Sequence, residues 1–93
     1  MIRGFRGKET ARIWSRERST KFSPELQRIA LRKLVALDGA EALQDLRIPP
    51  GNRLEKLSGK RHGQMSIRIN DQWRICFSWK DGHAHDVEIV DYH

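Results

Sequence analysis

Gln64-Met65-Ser66-Ile67-Arg68-Ile69-Asn70 and Trp73-Arg74-Ile75-Cys76-Phe77-Ser78-Trp79 are the two runs that decide the fold of this chain. In each run, bulky apolar side chains alternate with polar ones, which is the two-residue period of a strand with one buried face. A third run, from Ala84 to Tyr92, continues the pattern. Turn residues separate the runs at Asn70-Asp71 and Asp81-Gly82, so we predict an antiparallel meander.

The alternation gives the predicted sheet a dry face and a cationic face. Apolar side chains of one parity, including Trp73 and Trp79, are expected to pack beneath helices rather than to stack on bases. The opposite parity carries Arg68 and Arg74, and Tyr92 joins them if the alternation holds to the end of the third run. We therefore expect an arginine and a tyrosine to meet on an open, water-facing sheet surface.

Helical signals fill the first half of the chain. Ser23 can cap a helix that begins at Pro24, and apolar residues recur at helical spacing until Gly39 ends it. Weaker elements are predicted as a short strand over 2–5 and helical segments over 10–16 and 40–46. The fold class is therefore α+β, with N-terminal helices packed on one face of a mostly antiparallel β-meander sheet.

The main predicted helix also has a basic side, formed by Arg28, Arg32 and Lys33. Helices on protein surfaces ordinarily carry charged residues on the side that faces solvent. We therefore interpret these three cations as a solvated helix face and not as a dedicated RNA-binding stripe.

Length and charge limit the possible classes of protein. The 93 residues are expected to form one domain, over 1–93, with a single core. The formal net charge of +6 favours a polyanion such as nucleic acid, or a small acidic protein, as a partner. The single cysteine, Cys76, excludes an internal disulfide. With no apolar leader and no long apolar run, a cytoplasmic protein without a membrane span is expected.

A basic loop connects the helical half to the strands. Pro49 and Pro50 end helical structure because they lack backbone donors. The loop that follows, over 52–62, has two apolar residues that could anchor it, Leu54 and Leu57. Its cations, which are expected to project outward, are Arg53, Lys56, Lys60 and Arg61.

The four histidines raise the question of a metal site. His83 and His85 are two residues apart, and His62 and His93 could approach them in space. Neither a carboxylate nor a cysteine joins the pair at a spacing typical of zinc sites. We therefore predict no metal site.

Three further motifs give the chain a family resemblance. They are Asn52-Arg53-Leu54-Glu55-Lys56-Leu57, Ser66-Ile67-Arg68-Ile69-Asn70-Asp71-Gln72-Trp73-Arg74-Ile75-Cys76-Phe77, and the end of the sequence from Val87 through Asp91-Tyr92-His93. With the Met1-Ile2 opening and the Pro-Pro-Gly-Asn segment, they resemble the HigB toxins of the RelE/ParE superfamily over essentially the whole chain. The resemblance implies a single RelE-like toxin domain.

The resemblance also implies an activity and a set of partners. HigB-type toxins are mRNA endoribonucleases that cut codons in the ribosomal A site by metal-independent attack of the 2′-hydroxyl. No cofactor is implied. The implied partners are the ribosome, mRNA and a HigA-like antitoxin with a helix-turn-helix domain, with operator DNA reached only through the antitoxin.

Catalytic roles follow from the same resemblance. A metal-free ribonuclease must take a proton from the 2′-hydroxyl, stabilise charge on the phosphoryl oxygens and protonate the leaving 5′-oxygen. Arg74 suits the phosphoryl oxygens because its planar fork stays cationic. Asp91, Tyr92 and His93 complete the implied catalytic set, and the choice of base and acid among them stays open.

RNA binding is expected from the loop cations together with one strand residue. This set, Arg53, Lys56, Lys60, Arg61 and Arg68, would hold the RNA backbone without reading its sequence. The chain departs from some family members, which carry histidine and lysine where this chain has Glu55 and Ser58. Nearby cations would keep the Glu55 carboxylate ionised and a weak proton acceptor, so Glu55 is only a candidate catalytic residue.

Two other functions are compatible with a domain of this kind. The same superfamily includes ParE-like toxins, which poison DNA gyrase without ribonuclease activity, because fold alone does not fix function. The terminal Asp-Tyr-His argues against this alternative. The other alternative is a basic interaction module that docks an acidic antitoxin or nucleic acid without catalysis.

Overall fold

Two α-helices form in the first half of the chain. The structure is a computed structural model that describes residues 1–92. Helix α1 spans Lys8–Trp14 and α2 spans Pro24–Gly39. As predicted, the Ser23 hydroxyl accepts a hydrogen bond from the Leu26 amide at 3.2 Å and caps α2. Such a cap satisfies one of the amides that lack a partner in the first turn. In place of the third predicted helix, a short 3₁₀ turn covers Leu43–Arg47.

The second half of the chain forms a four-stranded sheet. Its strands are β1 (Glu55–Lys56), β2 (Met65–Arg68), β3 (Trp73–Lys80) and β4 (His83–Asp91), in the order β1-β2-β3-β4. Every neighbouring pair is antiparallel, so the predicted meander is confirmed. The sequence did not reveal β1, which lies in the predicted basic loop. The predicted strand over 2–5 is reduced to two isolated parallel bridges to β4.

A β-bulge interrupts β4 and changes its alternation. Cys76 of β3 pairs with Glu88, but Ser78, two residues further, pairs with His85, so β4 carries one extra residue there. Asp86 lies in this interval with a φ of +53°. A bulge of this kind lets residues three apart face the same side of a sheet.

The helices cover one face of the sheet and form the core with it. Fully buried side chains from both layers include Leu34, Leu37, Ile67, Ile75 and Phe77. The predicted core position of both tryptophans is confirmed, because each packs against this cluster. Within the described residues, no helix is long and apolar enough to cross a membrane.

The opposite face of the sheet is the outer face, and its centre is covered. The expectation of an open surface there is wrong, because Ser66 and Cys76 are 0% exposed and Arg74 is 7% exposed. Leu57, also buried, lies with Cys76 outside the main core. The amide of Leu57 donates to the carbonyl of Gln64 at 2.8 Å, which holds the loop against β2. The middle of the predicted loop, over 55–57, is therefore part of the sheet and of its cover.

Candidate active site

The outer face is organised in rows of residues that face each other across the strands. One row consists of Arg68, Arg74 and Val90. The next row consists of Glu55, Ser66, Cys76 and Glu88. Side chains in one row, and on the diagonals between rows, are close enough to interact. The register of the strands therefore brings carboxylates, a hydroxyl and two guanidinium groups onto one surface.

Arg74 is held by hydrogen bonds along one edge of its guanidinium group. Its Nε donates to the hydroxyl of Ser66 at 2.8 Å, and its Nη2 donates to the carbonyls of Arg53 at 2.6 Å and Ser66 at 3.4 Å. By contrast, Nη1 has no hydrogen-bond partner among residues 1–92. A guanidinium group has five N–H donors. Arg74 is therefore fixed by the protein and keeps the two Nη1 donors for a ligand.

The Pro-Pro-Gly-Asn segment sets the position of the Arg53 carbonyl. Asn52 is 1% exposed, and its amide group donates to the carbonyls of Leu46 at 3.1 Å and Ile48 at 3.3 Å. Its side-chain oxygen accepts a hydrogen bond from the Lys33 ammonium. Arg53 follows with a left-handed φ of +44°. This anchored turn directs the Arg53 carbonyl towards Arg74.

The position of Lys33 corrects one sequence prediction. We expected it on the solvated face of the main helix, but its ammonium reaches Asn52 and its side chain is half-buried. Burial, together with the charges of Arg32 and Arg68, lowers the pKa of Lys33. Lys33 is therefore a structural link between α2 and the turn that precedes β1.

Tyr92 and Glu55 complete the group of side chains around Arg74. The Tyr92 hydroxyl donates to Glu55 Oε1 at 3.0 Å, and Glu55 Oε2 lies 3.8 Å from Arg74 Nη2. The predicted meeting of an arginine and a tyrosine is confirmed, because the Arg74 Cζ lies 5.3 Å from the centroid of the Tyr92 ring. We call Glu55, Ser66, Arg74 and Tyr92 the Arg74 cluster.

The carboxylate of Glu55 changes the acid–base behaviour of Tyr92. Its hydrogen bond to the hydroxyl raises the pKa of Tyr92, partial burial and the negative charge of Glu55 add to this effect, and the charge of Arg74 opposes it. The raised pKa favours the protonated phenol, which donates its single O–H to Glu55.

The other predicted catalytic residues have different positions. Asp91 pairs with Trp73, so by register it lies on the side of the sheet that faces the helices, opposite to Arg74. Its carboxylate accepts a hydrogen bond from the side chain of Gln72 at 3.2 Å. His93 lies outside the described residues, so its catalytic role stays a prediction.

Two of the predicted RNA-binding cations are engaged by acidic side chains. Arg61 Nη2 lies 3.2 Å from the carboxylate of Glu88. Arg68 forms an ion pair with Asp71 in the turn between β2 and β3. Both guanidinium groups are partly exposed, so the pairs reduce their net charge without removing them from the surface.

The remaining three predicted RNA-binding residues are exposed, but they do not share one surface. Arg53 flanks the Arg74 cluster, and Lys60 lies on the turn before β2. Lys56 pairs with Met65, so by register it lies on the opposite side of the sheet from Arg74. The predicted RNA-binding set is therefore divided between two faces.

The histidines and the cysteine are the other residue types that could form a metal site or a nucleophile. Within residues 1–92, no group of three His, Cys, Asp or Glu side chains is placed to share a metal ion. Cys76 is fully buried, and burial raises the pKa of its thiol, which favours the unreactive protonated form. The Arg74 cluster is therefore our candidate active site, because the fixed guanidinium group of Arg74 can donate hydrogen bonds to a bound anion.

Comparison with known proteins identifies the family. A model of the family described as RelE-like toxin of type II toxin-antitoxin system HigB matches residues 3–93. Toxin HigB-1 of Vibrio cholerae is 52% identical over 59 residues, which are 63% of this chain and 62% of that toxin. Endoribonuclease HigB of Proteus vulgaris is 35% identical over 65 residues, which are 66% of this chain and 65% of that enzyme. These alignments span slightly less than two thirds of either relative.

A solved structure shows the same fold. A chain of the YoeB-YefM complex from Staphylococcus aureus aligns with a TM-score of 0.63 over 100% of this chain and 98% of that chain, at 16% identity. The expected RelE-like α+β fold is thereby confirmed. The family model extends over nearly the whole sequence, which confirms the resemblance found in its motifs. This chain therefore belongs to the HigB-like family of RelE-like toxins of type II toxin-antitoxin systems.

Proposed function

We propose that this protein is a ribosome-dependent mRNA endoribonuclease that cleaves codons in the ribosomal A site. The observation that carries the proposal is Arg74, a guanidinium group fixed along one edge with two donors left over, next to Glu55 and Tyr92. A relative that is 35% identical is named Endoribonuclease HigB, which supports RNA cleavage as the reaction.

The proposed reaction uses the nucleophile that RNA itself carries. The 2′-oxygen loses its proton to a base and forms a bond to phosphorus, while the bond from phosphorus to the 5′-oxygen breaks and that oxygen takes up a proton. The products are a 2′,3′-cyclic phosphate and a 5′-hydroxyl. No metal ion takes part. Arg74 Nη1 donates to a phosphoryl oxygen as negative charge develops, a contribution worth roughly 10²- to 10³-fold in rate for one such donor.

Proton transfer is the task of the end of the chain in this proposal. His93 carries the protons, as the family resemblance implies, while Asp91 lies by register on the opposite side of the sheet from Arg74 and takes no direct part. Tyr92 is neutral at pH 7, as an ordinary phenol is, and it donates its single O–H to Glu55, so its ring serves as a stacking surface for a base. Glu55 accepts a hydrogen bond from the Tyr92 hydroxyl and lies beside Arg74, so it orients both the phenol and the guanidinium group.

The proposed partners follow from the same reasoning. The ribosome presents the mRNA and orients its phosphate, so free RNA should be cut poorly. A HigA-like antitoxin with a helix-turn-helix domain would neutralise the toxin and carry it to operator DNA. The net charge of +6 suits both RNA and an acidic antitoxin segment.

Cleavage mapping on ribosomes tests the proposal. Purified protein is incubated with ribosomes that carry a defined mRNA, and new 5′ ends are mapped by primer extension. Cuts within the A-site codon are expected for the natural sequence and not for Arg74→Lys. Absence of cuts together with loss of gyrase supercoiling would support a ParE-like function instead. Absence of both effects would point to an interaction module.

A further inference from the structure

A second basic concavity lies on the outer face of the sheet, further along β3. Its lining consists of Arg6, Lys60, Arg61, His62, Gln64 and Ser78. Ser78 has the same parity as Arg74 and lies four residues along the strand, a distance of about 14 Å at about 3.4 Å per residue. Cys76, fully buried, stands between them. We call this concavity the Ser78 pocket.

The Ser78 pocket has an excess of positive charge. Its lining contains no Asp or Glu. Arg61 is neutralised by Glu88, but neither Arg6 nor Lys60 has an ion-pair partner in the described part of the chain. Both are exposed. The pocket therefore combines two cations without an acidic partner, Arg6 and Lys60, with the neutral hydrogen-bonding groups of Gln64 and Ser78. Such a surface can bind an anion.

The backbone on both sides of the Ser78 pocket is fixed. The Arg6 amide donates to the Val87 carbonyl at 3.0 Å, next to the bulge in β4. On the other side, the His62 amide donates to the Gly59 carbonyl at 3.1 Å. Arg61 is held by Gln64 at 3.1 Å as well as by Glu88. The pocket is therefore preformed, and only the ends of the Arg6 and Lys60 side chains need to order around a ligand.

We propose that the Ser78 pocket binds a backbone phosphate of the same RNA strand whose scissile phosphate lies at Arg74, an inference that rests on the proposed function. A single strand carries phosphates at regular intervals, so one strand that crosses the outer face can present one phosphate to Arg74 and another to the Ser78 pocket. Contacts of this kind position RNA without reading its sequence. The Ser78 pocket thus sets the register of the strand relative to Arg74, and the separating Cys76 keeps the two sites distinct.

The first test measures the salt dependence of RNA binding. The probe is a fluorescent RNA oligonucleotide with 2′-O-methyl groups, which cannot be cut, and its affinity is followed by anisotropy at several salt concentrations. The logarithm of the binding constant falls as the logarithm of the salt concentration rises. Loss of one phosphate contact makes this slope shallower by about 0.7 for a single strand. We expect this change for the double variant R6Q/K60Q. The matched control R28Q/R32Q removes the same charge from the exposed side of α2 and should keep the natural slope.

The second test locates the contacted phosphate. Neutral methylphosphonate linkages are placed one at a time along the oligonucleotide. With the natural protein, one position away from the cleaved linkage should weaken binding, and R6Q/K60Q should remove that sensitivity while Arg74→Lys retains it. The inference would be overturned if R6Q/K60Q kept the natural salt slope. It would also be overturned if the same methylphosphonate position still weakened binding to R6Q/K60Q.

The outcomes separate this inference from the proposed function. Binding is measured on RNA that is not cut, so failure to cleave on ribosomes would contradict the proposed reaction without altering the salt slope. If R6Q/K60Q binds RNA normally but loses affinity for the antitoxin, the Ser78 pocket is a docking surface for an acidic protein and the inference is wrong. Both substituted side chains are exposed, and circular dichroism checks that the variant is folded.

Discussion

The guanidinium group of Arg74 faces the ring of Tyr92, with Cζ 5.3 Å from the ring centroid. This contact joins the middle of the outer face to the end of β4, because Arg74 lies in β3 and Tyr92 directly follows β4. A cation at this distance is attracted by the ring quadrupole. Because the Arg53 carbonyl and Ser66 accept hydrogen bonds from one edge of the guanidinium group, it is held in one orientation before any ligand arrives.

Substitution of Arg74 by lysine should abolish most of the activity although the charge is kept. Lysine lacks the planar fork, so it cannot satisfy Ser66 and the Arg53 carbonyl while donating to a phosphate. We expect the cleavage rate on programmed ribosomes to fall by roughly 10²- to 10³-fold. The substitution also leaves the Ser66 hydroxyl and the Arg53 carbonyl without their donor, which should lower the free energy of unfolding by about 1–3 kcal/mol.

The control for this substitution is Arg28→Lys, which makes the same change on the exposed side of α2. Its activity and its free energy of unfolding, measured in urea, should match those of the natural protein. A fully active Arg74→Lys variant would show that a positive charge is sufficient and that the planar, hydrogen-bonded guanidinium group is not required.

Titration of Tyr92 should report its contact with Glu55. Tyr92 is the single tyrosine of the chain, so the absorbance of tyrosinate on raising the pH belongs to this residue. We expect its pKa to lie above the ordinary value near 10 and to fall towards that value in Glu55→Gln, which removes the negative charge. An identical titration in both proteins would contradict the hydrogen bond.

The same shift predicts a direction for stability against pH. The pKa of Tyr92 is raised in the folded state, so folding favours the protonated phenol. Its stabilising contribution is fully present below the unfolded pKa of about 10 and is lost as the pH rises through the higher folded value. Urea unfolding between about pH 9 and 11 should show a steeper loss for the natural protein than for Tyr92→Phe.

Periodicity was sufficient to predict much of this fold from the sequence. The alternation in β2 and β3 depends only on which residues are apolar, and the cap at Ser23 depends on four consecutive residues, so both could be read locally. The same parity placed Arg74 and Tyr92 on one face, and the structure confirms their contact.

Contacts between distant segments could not be read in this way. Strand β1 has two residues and no repeating pattern, so nothing in 52–62 indicated that it would pair with β2. Because that pairing was missed, the burial of Arg74 and the place of Glu55 beside it were missed as well. The Lys33–Asn52 contact spans 19 residues, and only the Asn that follows Pro-Pro-Gly hinted at an anchored turn.

Cys76 should be almost unreactive in the folded protein. Its side chain is fully buried, and burial raises the pKa of the thiol, so the nucleophilic thiolate is both scarce and inaccessible. Reaction with Ellman's reagent at pH 8 should be slow in buffer and fast in denaturant. The natural protein in urea is the internal control, since the chain has one cysteine. Rapid reaction in buffer would mean that the outer face is open, as the alternation alone predicted.

Asn52 should be a site where a small substitution disturbs both folding and activity. Its side chain is buried and serves the Leu46 and Ile48 carbonyls and the Lys33 ammonium. Asn52→Ala leaves these groups without partners, and we expect a loss of about 1–3 kcal/mol in the free energy of unfolding. Activity should fall further than stability explains, because the turn that directs the Arg53 carbonyl towards Arg74 loses its anchor.

Two companion variants show whether the contacts act as one network. Asn52→Asp keeps an acceptor for Lys33 but replaces the amide donor by an oxygen that faces two carbonyls, so it should be no more stable than Asn52→Ala. In a double-mutant cycle, Lys33→Met and Asn52→Ala should cost less together than the sum of the single variants, because both remove the same contact. Additive costs, measured by urea unfolding, would show that Lys33 and Asn52 act independently and that α2 does not support the turn before β1.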